Sequence, residues 1–218
     1  MKSALVTGSE SFGRYVSNPT KWLALAVDGK QVAGYQVHSL VLPSVVRFSP
    51  DVDDAGTTIV KKAIEVNADI IVSLGMSSGV GGFCLERTAI NWIYNQKYCS
   101  AQENSKPLDL SRPAKDKMEV DLSHLDFEKL GQLFKQAGLS LESAISDDAG
   151  QYSCNSWMYR TMLAMQKQSV EIPYVFMHMS CTEESIEFIH DFDRENKVLI
   201  DKQDALKALE IVLQVSTS

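Results

Sequence analysis

No apolar run in this chain of 218 residues approaches the roughly 20 residues a helix needs to cross a bilayer, so a helical membrane protein is not expected. The opening MKSALVTGSESFG has one lysine and only a handful of apolar residues before Gly8. It lacks the apolar core of a secretory leader, and a cytoplasmic protein is expected. Positive charge is also scarce. Lys and Arg number 21 against 28 Asp and Glu, a net charge of −7, and no basic run lies on one face, so nucleic acid is not an expected partner. The four cysteines, Cys84, Cys99, Cys154 and Cys181, include no C-x-x-C pair, which argues against a zinc knuckle or a thioredoxin motif. In a reducing compartment a disulfide framework is not expected either. The glycines of GVGG, residues 79–82, precede no G-K-[ST], so no nucleotide loop is read there. Repeats, low-complexity tracts and linkers are missing as well, and a single domain over 1–218 is the economical reading.

What is present is the balance of a globular protein with a full core, 44% hydrophobic and 22% charged. Short apolar runs alternate with amphipathic stretches. Ala4 to Val6 reads as a strand, and Asn18-Pro19 as the start of a helix, with Asn18 as N-cap and Pro19 in the first turn. Tyr35 to Leu42 follows as a strand, Val52 to Val66 as a helix and Asp69 to Leu74 as a buried parallel strand. The stretch after Gly75 alternates around glycines like an excursion or hairpin, and Gln96 to Met118 reads as a long polar loop. Then come a helix from Phe127 to Ala137, a strand from Leu139 to Ile145, a helix carrying Cys154, a strand from Pro173 to Met179 and a helix from Asp201 to Val215. This rhythm predicts an α/β fold: a single-domain α/β/α sandwich with a mostly parallel twisted sheet and helices on both faces.

In such a sheet, ligands settle in the crevice at the carboxyl ends of neighbouring strands. Cys154 follows one strand at the start of a helix, where amides and dipole favour an anion, and His178 stands near the end of another. If those strands are neighbours, thiol and imidazole face each other as nucleophile and base. The bland alternative is that both are packing residues. Glu86 sits in CLERTAIN, an otherwise apolar stretch where a carboxylate is costly unless paired. Its neighbour Arg87 points to the opposite strand face, so a carboxylate that orients the histidine is the better reading.

Four segments together resemble the pyroglutamyl peptidase I family of cysteine peptidases. They are TGSESFGRYVSNPT (7–20), GMSSGVGGFCLERTAIN (75–91), SDDAGQYSCN (146–155) and FMHMS (176–180). The resemblance covers nearly the whole chain. It implies Cys154 as nucleophile, His178 as general base and acid, and Glu86 as the supporting carboxylate. It implies removal of an N-terminal pyroglutamyl residue through a thioester, no metal or organic cofactor, and a homodimer or homotetramer. Ser9, Phe12, Asn18, Met76, Tyr152 and Ser153 fall where the resemblance puts the substrate pocket.

The departures are on the substrate side. Ser9 stands for one of two ring-stacking phenylalanines, Met76 for a glutamine of many bacterial members, and Gln96 for an arginine. Tyr15 or Phe83 could refill the ring pocket. A peptidase of shifted acyl specificity and an inactive binding homologue are both compatible with these changes. Elsewhere, His190-Asp191-Phe192-Asp193 reads as a solvated loop rather than a metal site, and Met158, Met162 and Met165 as core. Cys84, Cys99 and Cys181 are expected to be structural or incidental.

Overall fold

The computed structural model describes residues 1–43, 55–94 and 105–216. Nine strands lie among them: β1 (Lys2–Ser9), β2 (Gln31–Val32), β3 (Tyr35–Leu42), β4 (Ile70–Met76), β5 (Phe83–Glu86), β6 (Thr88–Ile90), β7 (Lys117–Glu119), β8 (Leu141–Ser146) and β9 (Tyr174–Met179). The α-helices are α1 (Pro19–Val27), α2 (Ala55–Glu65), α3 (Phe127–Gln136), α4 (Ser153–Gln168) and α5 (Lys202–Val215). None is long and apolar enough to cross a membrane.

Seven strands form one sheet in the order β2-β3-β1-β4-β9-β5-β8. β3, β1, β4 and β9 run parallel. Every residue of β4 and β9 is buried, so both sheet faces are covered, as parallel sheets require. The helices fall into two groups: α2 packs on α4, while α1 and α3 both pack on α5. The α/β sandwich and its mostly parallel sheet thus follow the rhythm of the sequence.

Local chemistry sets the helix starts. The Asn18 side chain accepts from the Thr20 amide at 3.0 Å with Pro19 in the first turn of α1, and Asp201 forms a reciprocal cap with Asp204 at α5.

The excursion after Gly75 differs from the expected hairpin. β5 joins the main sheet, antiparallel to β9 and parallel to β8, while β6 pairs with β7 in a separate two-stranded sheet. The link through residues 77–82 is too short for a helical crossover, so β5 returns against the direction of β4. β8, parallel to β5, therefore also runs opposite to β9. The condition that β8 and β9 be neighbours is not met: β5 lies between them, and the two run in opposite directions.

Of the expected polar loop from Gln96 to Met118, residues 96–104, with Gln96 and Cys99, lie outside the described residues, as do residues 52–54 ahead of α2. From 105 onward the loop is anchored. Buried Asn91 donates to the carbonyls of Asp109 at 2.9 Å and Pro113 at 3.0 Å and accepts from the Asp109 amide at 2.8 Å.

Candidate active site

β5 and β9 put the histidine and the carboxylate together by register. Cys84 lies opposite His178, and Glu86, two residues further along β5, is on the same face as Cys84. His178 Nδ1 stands 2.7 Å from Glu86 Oε1, both side chains being almost wholly inaccessible to water. Arg87, on the opposite face, forks onto Asp147 with contacts of 2.8 and 2.6 Å instead of pairing with Glu86. Burial pushes the Glu86 carboxyl up, but the hydrogen bond and charge of His178 outweigh it and hold the group below the usual carboxylate range.

The thiol arrives from the other side, on the first turn of α4. Tyr152 gives this helix no side-chain cap, and its first backbone bond runs from Ser156 N–H to the Tyr152 carbonyl at 2.9 Å. The amides of Ser153, Cys154 and Asn155 therefore precede the helical ladder and stand at its positive end. Cys154 is half-buried and faces the same cleft as the imidazole. Burial pushes the His178 imidazole down, yet the charge of Cys154 and hydrogen bonds to Cys154, Cys84 and Glu86 raise it well above its ordinary value. The arrangement favours a protonated imidazole with a carboxylate behind the ring.

A cavity of about 630 Å³ opens over these groups. Cys84, Glu86, Cys154 and His178 line its reactive side, and Phe12, Met76, Tyr152 and Ser153 also border it. Ser9 and Asn18 do not. They are buried one layer behind, where Asn18 Nδ2 donates to Ser9 Oγ at 3.0 Å and the Ser9 amide donates to Thr20 Oγ1 at 3.1 Å. Of the two residues considered as refilling the ring pocket, Phe83 is turned into the core against Phe134, ring centroids 5.8 Å apart, whereas Tyr15 packs edge-on against Phe12 at 5.2 Å. Met158 and Met162 are buried in the core, and Met165 is partly buried against that same core.

Two residues of this site escaped the sequence reading. Asn155 is fully buried; its Oδ1 accepts from Ile90 N–H at 2.8 Å, and its Nδ2 donates to the carbonyls of Ile90 at 3.0 Å and Trp92 at 2.8 Å. It pins the first turn of α4, and with it Cys154, to the chain after β6. Cys84, expected to be structural or incidental, is buried with its Sγ 3.3 Å from Glu86 Oε1. The signal for Cys84 was available: a residue two positions from Glu86 on a strand shares its face.

Comparison with known proteins settles the family. The family model for pyroglutamyl peptidase matches residues 2–217. This chain belongs to the pyroglutamyl peptidase family. Relatives include the pyrrolidone-carboxylate peptidase of Brachyspira hyodysenteriae, 25% identical over 213 residues that make up 98% of each chain. That of Oceanobacillus iheyensis is 30% identical over 183 residues, 82% of this chain and 84% of the relative. Among solved structures, the pyrrolidone carboxyl peptidase of Thermococcus litoralis superposes with a TM-score of 0.79 at 24% identity, covering 99% of this chain and 93% of the other. The family's enzymes are cysteine-type hydrolases.

Proposed function

We propose that this chain is a pyroglutamyl peptidase that works as one hydrolase domain and removes an N-terminal pyroglutamyl residue from peptides, with Cys154 as nucleophile, His178 as proton carrier and Glu86 as the group that orients and charges His178. The observation that supports the reading is that His178, bonded to Glu86 at 2.7 Å, lines one cavity with the Cys154 thiol. Family membership supports the acyl group.

The steps follow from that geometry. The Cys154 thiolate attacks the carbonyl that joins the pyroglutamyl residue to the peptide. The amides at the start of α4 hold the resulting oxyanion. With Nδ1 engaged by Glu86, Nε2 is the nitrogen left to give the leaving amine its proton. The C–N bond breaks to leave a thioester on Cys154. Neutral His178 then takes a proton from water, which attacks the thioester and frees the acid and the thiolate.

Phe12 and Met76 supply apolar walls for the lactam ring, Phe12 being backed by Tyr15. Tyr152 and Ser153 frame the thiol. Ser9 and Asn18 act from behind by fixing the turn that carries Phe12. A cytoplasmic homodimer or homotetramer is the expected form.

Release of fluorophore from a pyroglutamyl aminocoumarin amide tests the reading. Turnover is expected from the wild type and none above background from Cys154→Ala. Turnover that survives that substitution overturns it.

A further inference from the structure

The chemistry just described leaves two buried thiols among the described residues without a role, Cys84 and Cys181, and of these Cys84 borders the cavity. Cys84 is 4% exposed, lines the same cavity and faces the charged pair from β5. One ligand atom each from Cys84, Glu86 and His178 lie within 4.8 Å of one another, the one such group of three among the described residues. A second observation is independent of that convergence. Glu86 is 1% exposed, and its Oε2 is buried with no hydrogen-bond partner, so the site holds acceptor capacity that the bond to His178 does not use.

We propose that Cys84, Glu86 and His178 form an inhibitory site for a soft divalent cation of the zinc type. Thiolate, imidazole and carboxylate are the ligand types such a cation takes, and three protein ligands with a fourth position open to solvent is a stable arrangement for it. Here the open position is the cavity. Binding replaces protons: the Cys84 thiol proton and any imidazolium proton leave to solvent. Thiolate and carboxylate then balance the two positive charges, and the buried site becomes neutral. Tetrahedral bonds of ~2.0–2.3 Å set ligand atoms ~3.3–3.8 Å apart. The 3.3 Å between Cys84 Sγ and Glu86 Oε1 has to open by ~0.3 Å and the 2.7 Å between Glu86 and His178 by ~0.7 Å, which side-chain rotation supplies. The occupied site removes His178 and Glu86 from peptide cleavage without touching Cys154. It therefore inhibits reversibly.

Binding can be measured without activity, on a protein that lacks the nucleophile. Titration of the Cys154→Ala protein with Cd2+ is expected to saturate at one ion per chain with an ultraviolet thiolate-to-cadmium band, and Zn2+ is expected to displace it. Adding Cys84→Ser should abolish the band or weaken binding at least ~10-fold, with folding checked by circular dichroism. Because that double variant could misfold, the His178 ring resonances of the Cys154→Ala protein give a second readout, and they should shift on adding Zn2+. A band that is indifferent to Cys84→Ser, or His178 resonances that ignore Zn2+, overturns the proposal. The result stands apart from substrate choice, since the titrated protein turns nothing over.

Discussion

Gly75 and His178 are register partners on β4 and β9, and a β-carbon on residue 75 would lie 2.6 Å from His178 Cδ2 and 2.9 Å from its Nε2. The glycine is there because the imidazole lies against that backbone. Phe176 closes the same space, with its Cε1 at 2.8 Å from the added carbon and its ring edge-on to the imidazole, centroids 5.2 Å apart.

Gly75→Ala therefore displaces the ring that carries the proton. A misplacement of about 1 Å at a reacting group can cost ~10²-fold in rate, and overpacking ~1–3 kcal/mol in stability. Steady-state kinetics should show kcat reduced by roughly that factor, with a urea midpoint only modestly lowered. An unchanged kcat in a folded variant means the ring does not rest where it is described.

Glu86→Gln keeps the shape of the side chain and removes its charge. His178 loses a bond that raises its affinity for a proton, so it becomes neutral at lower pH. The alkaline limb of the kcat/KM profile, where the imidazolium is lost, should move to lower pH. The maximum should fall by roughly 10²-fold, within the ~10²–10⁴ of general acid and base catalysis. A variant with an unmoved alkaline limb would show that Glu86 only fills space.

The same pair sets a pH window for stability. The folded-state affinity of His178 for a proton is raised above its ordinary 6.5, so its contribution is complete below about 6.5 and is lost as pH rises through the higher folded value. Glu86 is lowered from its ordinary 4.5, so its contribution is complete above about 4.5 and is lost as pH falls through the lower folded value. The difference in unfolding free energy between wild type and Glu86→Gln should be largest between these two values and shrink on either side. Urea denaturation across that range checks it.

Asn155→Ala leaves one buried amide and two carbonyls without their partner. Each orphaned group costs ~1–3 kcal/mol. Denaturant unfolding should show a loss at the upper end for single substitutions, together with slower alkylation of Cys154 as the first turn of α4 loosens. Asn155→Asp should not restore stability, because a carboxylate cannot donate to Ile90 and Trp92.

The sequence by itself determined what depends on neighbours along the chain. Periodicity and caps set the helices and most strands, with Asn18 and Asp201 where a cap is needed, and a carboxylate among apolar alternating residues marked Glu86 as paired or functional. The spacing of its motifs pointed to Cys154 and His178. Only the tertiary structure decided what meets across the sheet. Whether the strands before Cys154 and around His178 are neighbours is open in the sequence; in the fold β5 enters between β8 and β9 and runs opposite to β9, because its short connection from β4 leaves no room for a crossover. That insertion sets Glu86 2.7 Å from the imidazole and brings Cys84 beside them, and it turns Phe83 into the core. Strand order and register depend on contacts between residues distant along the chain, which local propensity does not encode.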